Sequence, residues 1–287
     1  MAESVNDNNS RSFIALSDMG RLEDAKIDPA IAALFFASLD HPGRGLGAYQ
    51  SHLDQLTTTC LSHYNELLAK QAADDAYTRL AALRVTLFSD FGYTGDETDY
   101  HNIDNADLMR VIDRRKGMPV ALAILYISVG QRLGWMVSGL NIPGHFICRI
   151  DCGSERIIFD PFYGGRVLEA QDLRQLIKIS LGADAEISSS YVEPASKRDS
   201  VLRLQNNRKI RFIENEEYED ALRVVMAMRA FAPNEYRLLL DEGVLSARTD
   251  RRSHAVKVLE KYIEIAPDPQ DRHDAALLLY EIKSELN

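Results

Sequence analysis

Residues 115–134 read RKGMPVALAILYISVGQRLG, and this stretch decides the fold. Gly117-Met118-Pro119 opens a helix, because proline at the first helical position gives up only a hydrogen bond that a helix end leaves unmade. Across residues 120–133 apolar side chains occupy almost every side of that helix, so it must be covered all round and belongs at the centre of a domain. Gly134 ends it. Four short strand-like segments follow, 136–140, 145–150, 156–159 and 166–168, separated by Pro143-Gly144, Cys152-Gly153 and Gly164-Gly165. A buried helix feeding a small antiparallel sheet predicts an α+β architecture.

Upstream the pattern is helical over residues 28–91. Asp28 is an N-cap ahead of Pro29, and Ile31, Leu34, Phe35 and Leu39 follow before His41-Pro42-Gly43 stops the run. A second helix is predicted over 46–70, with Leu53, Leu56, Cys60, Leu61, Tyr64 and Leu68 at three-and-four spacing, and a third over 75–91. An acidic, tyrosine-containing loop spans 94–105, and a short helix through Leu108 and Val111 leads to Arg114-Arg115-Lys116. Downstream, residues 188–200, with a serine run and Pro194, read as a linker. After it Ala221-Leu222 returns as Ala255-Val256, and Phe231-Ala232-Pro233-Asn234 as Ile265-Ala266-Pro267-Asp268. The offset is 34 residues, the tetratricopeptide period. Two helical hairpins and a capping helix over 271–286 are expected. The predicted organisation is a tail (1–27), a core domain with a helical N-terminal layer (28–187), the linker (188–200) and helical repeats (201–287).

The 287 residues suffice for one large domain or two ordinary ones. Lys and Arg total 33 against 43 Asp and Glu, a net charge of −10, which disfavours a phosphate backbone as partner. No run approaches the roughly 18 apolar residues of a membrane helix. Residues 1–10 are polar and lack the pattern of a secretory signal, and three cysteines without CxxC spacing fit a reducing compartment. These features predict a cytoplasmic protein that binds neither nucleic acid nor membrane.

If Cys152-Gly153 is a two-residue turn, cross-strand partners sum to 305 and His145 lies opposite Asp160 on one face, where a carboxylate can hold an imidazole in one tautomer. The same register opposes Arg149 and Arg156, an unfavourable like-charge pair.

Arg115-Lys116-Gly117-Met118-Pro119-Val120-Ala121-Leu122, Pro143-Gly144-His145-Phe146 and Asp160-Pro161-Phe162 with Gly164-Gly165 together resemble the transglutaminase-like superfamily. Within it the resemblance is to the bacterial SirB-type proteins, which join such a domain to tetratricopeptide repeats, and it covers residues 28–287. It implies a papain-like core. Active members use a Cys at the start of the central helix as nucleophile, followed by a strand His and an Asp on the next strand. His145 and Asp160 match the last two, and the nucleophile's place falls at or beside Pro119.

Here the chain departs from the active pattern. A thiol at a helix N-terminus is acidified by unpaired N–H groups and the helix dipole, but Met118, Pro119, Val120 and Ala121 carry neither thiol nor hydroxyl. Pro119 also lacks an N–H for an oxyanion. Cys148 is expected on the opposite strand face from His145, Cys152 in the turn, Cys60 on the apolar stripe of its helix, and Ser128 too far along the central helix. His145 and Asp160 equally suit a structural hydrogen-bonded pair tying two strands. Asp99, His101 and Asp104 cluster without metal-ligand spacing, so neither metal nor cofactor is expected. Arg115 and Tyr163 are candidate ligand-binding residues beside the pocket, with Phe162 in the core.

The leading expectation is a catalytically inactive transglutaminase-like protein that serves as an interaction or regulatory module, binding a protein or peptide through its repeats. The competing expectations are a cysteine- or His-dependent hydrolase or amidase, and a sensor of a small anion held by Arg115 and Tyr163.

Overall fold

The computed structural model describes residues 2–284. The chain forms two compact units, one of Glu23–Leu204 and one of Met1–Leu22 with Gln205–Asn287. Where a tail was expected, α1 (Ala2–Gly20) is a helix of the second unit, with Ser12 and Leu16 buried. A Cβ on Gly20 would lie 2.4 Å from the Ala230 carbonyl oxygen, so only glycine lets the end of α1 approach that backbone. The apolar stripe of α1 is thin, with Phe13 and Ile14 exposed beside Leu16. Periodicity alone therefore gives no signal, and packing decides.

In the first unit, α2 (Pro29–Ser38) starts at the expected cap, with Asp28 Oδ1 accepting from the N–H groups of Ala30 and Ile31 at 3.0 and 3.3 Å. The same carboxylate accepts from Ser128 Oγ at 2.7 Å and Arg132 Nε at 2.9 Å, pinning α2 to the central helix. The helices α3 (Gly47–Ala69) and α4 (Ala76–Arg84) follow, and α4 continues through a wide helical turn, Val85–Asp90. The acidic loop is more ordered than its composition suggests. Its β1 (Thr94–Gly95) pairs in parallel with β2 (Lys116–Gly117), and α5 (Leu108–Arg114) lies between them in sequence.

The central helix α6 (Pro119–Arg132) is buried at every residue from Pro119 to Gly130. The sheet beside it comprises β3 (Met136–Ile142), β4 (His145–Cys152), β5 (Glu155–Asp160), β6 (Arg166–Val167) and β7 (Pro194–Ala195), in the order β6-β5-β4-β3-β7 and antiparallel throughout. The helix α7 (Ala170–Leu181) is entered through a reciprocal cap between Glu169 and Asp172. The expected linker 188–200 instead supplies β7 and the start of α8 (Lys197–Glu214). Pro194 is tolerated there because β7 is an edge strand, where a missing N–H breaks no ladder.

The β4–β5 register differs from the expected one by two residues. Cys148 pairs with Phe159 and Cys152 with Glu155, so the turn is Gly153-Ser154, with Gly153 at φ +58°. The physical gain is electrostatic: Arg156 now opposes Asp151, with Nε 3.0 Å from Oδ1, and Arg149 opposes Ile158. A two-residue slip preserves side-chain parity, so which face each residue occupies is unchanged.

The second unit contains α9 (Tyr218–Phe231), α10 (Arg237–Arg248), α11 (Arg252–Ile265) and α12 (Pro269–Ser284). The 34-residue equivalents Ala221 and Ala255 are both fully buried, in α9 and α11. Residues 285 and 286 of the expected capping helix lie outside the described residues.

Candidate functional site

Residue alternation along β4 separates two faces of the sheet. Phe146, Cys148 and Ile150 share the face covered by α6, where Tyr126 packs on Phe159 with ring centroids 5.4 Å apart and Gly130 abuts Val137. His145 and Ile147 share the other face. There Leu140, Ile142, Ile147 and Leu168 pack with Leu173 and Ile177 of α7. Pairing of Cys148 with Phe159 aligns Ile147 with Asp160, so Asp160 also belongs to the α7 face.

On that face His145 Nε2 lies 2.8 Å from Asp160 Oδ2. Asp160 is 2% exposed and its other oxygen accepts the Phe162 N–H at 2.9 Å, so both oxygens are engaged. This orients the imidazole through Nε2 and leaves Nδ1 for another partner. The Phe162 ring stands edge-on to His145 at 6.2 Å, and Tyr100 and Tyr163 also meet it edge-on, at 5.9 and 5.1 Å. Gly95 makes room for it: a Cβ there would come within 2.5 Å of the Phe162 ring.

The entrance of α6 is held by polar contacts. The Met118 N–H donates to the Asn105 carbonyl at 3.1 Å, and Asn105 Nδ2 donates to the Asp99 carbonyl at 2.7 Å. Buried Asp96 accepts from Arg114 Nη2 at 2.8 Å, Thr98 Oγ1 at 3.0 Å and the Asp99 N–H at 3.2 Å. Burial would raise the Asp96 pKa, but these donors, with Lys116 nearby, hold it below the ordinary carboxylate value. Met118, Pro119, Val120 and Ala121 present no nucleophile here.

Cys60 is fully buried and burial pushes its thiol up to about 12, while burial raises Cys148 well above the ordinary value. Cys152 is half-buried, its Sγ 3.8 Å from the Asp74 carbonyl oxygen. Among the described residues none of these sulfurs is hydrogen-bonded to His145. The Ser128 hydroxyl is committed to Asp28.

Arg115 occupies a place that sequence reasoning did not anticipate. It sits at φ +61° at the end of α5, its Nη1 donates to His52 Nε2 at 2.7 Å and to the Tyr93 hydroxyl, and its guanidinium lies 4.8 Å from the Tyr93 ring centre. His52 Nε2 also lies 2.7 Å from the Tyr93 hydroxyl, so it serves as an acceptor. Burial, reinforced by the Arg115 charge, lowers the His52 pKa to about 4. In the acidic loop Asp99 accepts from Asn102, Asp104 lies 3.8 Å from Arg110, and His101 packs on Tyr100. Among the described residues no three His, Cys, Asp or Glu side chains are grouped to hold a metal.

Tyr163 does line a cavity of about 210 Å³, but Arg166, not Arg115, lines it with Tyr163. Asp160 forms part of its wall, and Asp172, Gln175, Leu176 and Ile179 of α7 complete much of it. Sequence reasoning missed this set because nothing local in α7 announces which strand residues it faces.

Comparison with known proteins adds the following. A family model described as the transglutaminase-like superfamily matches residues 47–206, and one described as tetratricopeptide repeat matches residues 209–280. A UPF0162 protein of Xylella fastidiosa is 27% identical over 256 residues, 88% of each chain. Protein SirB1 of Salmonella typhimurium is 24% identical over 242 residues, 84% of this chain and 86% of the relative. A UPF0162 protein of Vibrio cholerae is 24% identical over 194 residues, 68% and 72% of the two chains. No solved structure matches the chain significantly.

Proposed function

Because the chain belongs to the transglutaminase-like superfamily, with more than half its length in the matching domain, and yet offers no thiol or hydroxyl over Met118-Pro119-Val120-Ala121, we propose that it is a non-catalytic member acting in the cytoplasm as a protein-interaction or regulatory module. The vacant nucleophile position carries this reading. Acyl transfer needs an ionisable nucleophile beside the imidazole, and the buried thiols of Cys60 and Cys148 are both held protonated. His145 and Asp160 then serve as a residual pair whose carboxylate is saturated by local hydrogen bonds. The partner is a protein or peptide taken up by the helical repeats, whose stacked hairpins present an extended surface.

The test is direct. Full-length protein incubated with a thiol-directed acyl probe is expected to show the same labelling as His145→Ala; labelling abolished in His145→Ala would overturn the reading. A partner recovered with the full chain must bind in purified form and lose affinity on substitution within residues 205–284 but not at His145.

One observation favours a second reading: His145 is oriented through Nε2 and is 16% exposed, which suits a general base acting on water. Turnover of an amide or ester lost in both His145→Ala and Asp160→Asn would establish it.

A further inference from the structure

The 34-residue frame gives each helix of the second unit a place, and it leaves α12 with a face that its equivalents bury. The bounds of α9 and α11 are 34 residues apart at both ends, so each is the second helix of a repeat. The preceding helices α8 and α10 are first helices, and α12 holds the same place after α11. In α10 the stripe Leu239, Glu242, Gly243 and Ser246 lies under α11. Leu239 packs with Val258 and Tyr262, Glu242 Oε1 is 2.7 Å from His254 Nε2, and a Cβ on Gly243 would come within 2.6 Å of Leu259. Leu239, Glu242 and Ser246 are each 4% exposed or less. In α8, Phe212 is equivalent to Ser246 and packs on Ala221, Leu222 and Val225 of α9.

Moved on by one repeat, the stripe becomes His273, Ala276, Leu277 and Tyr280 of α12. There it faces solvent: Leu277 is 54% and Tyr280 74% exposed, while Ala275 and Ile282 pack the other side of α12 into clusters with α10 and α11. An array normally ends in a polar outer face. Here α12 is instead the first helix of a repeat whose second helix is not among the described residues. What can cover it is set by what covers α10. The buried stripe of α11 is Ala255, Val258, Leu259 and Tyr262. The α12 stripe has the same spacing and the same last two residues, Leu277 for Leu259 and Tyr280 for Tyr262. The α12 of a second copy therefore carries the chemistry that this face receives. Short connections make α10 and α11 antiparallel, and an antiparallel pair of identical helices is self-complementary about a two-fold axis. Centred on Leu277, such a pair sets His273 of one copy opposite Glu281 of the other, and no like charges meet along the stripe.

We infer that the protein forms a two-fold dimer in which α12 of each copy docks antiparallel on α12 of the other, closing both repeat arrays. One helix pair buries less than the roughly 1,200 Å² of a standard interface, so the association is weak, with a dissociation constant on the order of tens of micromolar. The contact needs neither acyl chemistry nor a foreign partner, so it stands or falls separately from the proposed function.

Sedimentation of the full-length protein from about 1 to 300 µM is expected to show the mass rising from one copy toward two and no further. Leu277→Lys and Leu277→Asp are each expected to weaken association by about tenfold or more, with an unchanged thermal midpoint in dilute solution because Leu277 is exposed. Mixing these two variants places opposite charges at the two-fold axis and is expected to restore association above that of either alone. Tyr280→Ser is expected to weaken the dimer by about fivefold or more. A chain that stays monomeric over this range, association indifferent to Leu277 and Tyr280, growth beyond two copies, or a mixture no better than its parts overturns the dimer. A monomeric chain that binds a synthetic peptide of residues 252–265, with loss of binding in Leu277→Lys, assigns the face to a foreign helix and overturns it as well.

Discussion

Two histidine–carboxylate pairs of nearly identical geometry lie in the two units, and they do different things. In the sheet-containing unit His145 Nε2 is 2.8 Å from Asp160 Oδ2, and the second carboxylate oxygen is satisfied by an N–H only two residues away. In the repeat unit His254 Nε2 is 2.7 Å from Glu242 Oε1, and Arg229 takes Oε2. Glu242, 4% exposed, therefore joins α9, α10 and α11, whereas Asp160 joins two neighbouring strands and their own loop. The lesson is that an oriented imidazole is not a site by itself. What surrounds it decides: beside Asp160 there is an open cavity lined by Tyr163, Arg166 and Gln175, and around Glu242 there are helices to staple.

A reactive thiol in the first unit would break this contrast most severely. At pH 8, alkylation of the native protein followed by mass spectrometry is expected to modify Cys152. With Cys60 raised to about 12, its thiolate is depleted by about a thousandfold relative to an ordinary thiol. Modification of Cys60 or Cys148 at the rate of Cys152 would reopen acyl chemistry.

Stability measurements sharpen the contrast next. Glu242→Gln leaves Arg229 without its buried partner and is expected to cost about 3 kcal/mol in urea denaturation. Asp160→Asn keeps the shape and can still accept the Phe162 N–H, so about 1 kcal/mol is expected. The reverse order would mean that Asp160, not Glu242, is the structural staple.

The pH dependence separates the units as well. His52 in the first unit has its pKa lowered to about 4, against an unfolded value of about 6.5, so the unfolded chain binds the extra proton between these values. Its contribution is complete above pH 6.5 and is lost as pH falls toward 4. The expected loss is about 2 kcal/mol, allowing for partial solvent screening, and His52→Gln should flatten that part of the profile. The smallest effect is expected at the repeat surface. Arg251→Ala breaks an exposed pair with Glu219 and should shift stability by less than about 0.5 kcal/mol, a difference readable in the same urea series.

Much of the candidate site was legible in the sequence because it rests on parity and on residue type. His145 and Asp160 share a face in the expected register and in the observed one, since a two-residue slip cannot change sides. That the start of the central helix carries neither thiol nor hydroxyl needed only the identities of Met118, Pro119, Val120 and Ala121. Arg115 was misread for the opposite reason. Its partners His52 and Tyr93 lie 63 and 22 residues away, and no local spacing announces them.

By itself the amino-acid order determined the mostly apolar central helix, the alternation of the strands, the 34-residue repeat and the lack of a thiol or hydroxyl over residues 118–121, all read from residue type and its spacing along the chain. Tertiary packing decided the rest. It drew α1 into the repeat unit, turned residues 194–195 into an edge strand, aligned Arg156 with Asp151, and set α7 over the His145 face to close a cavity there. These outcomes depend on which distant surfaces best bury one another and satisfy each other's charges. That competition is settled only when the whole chain is folded.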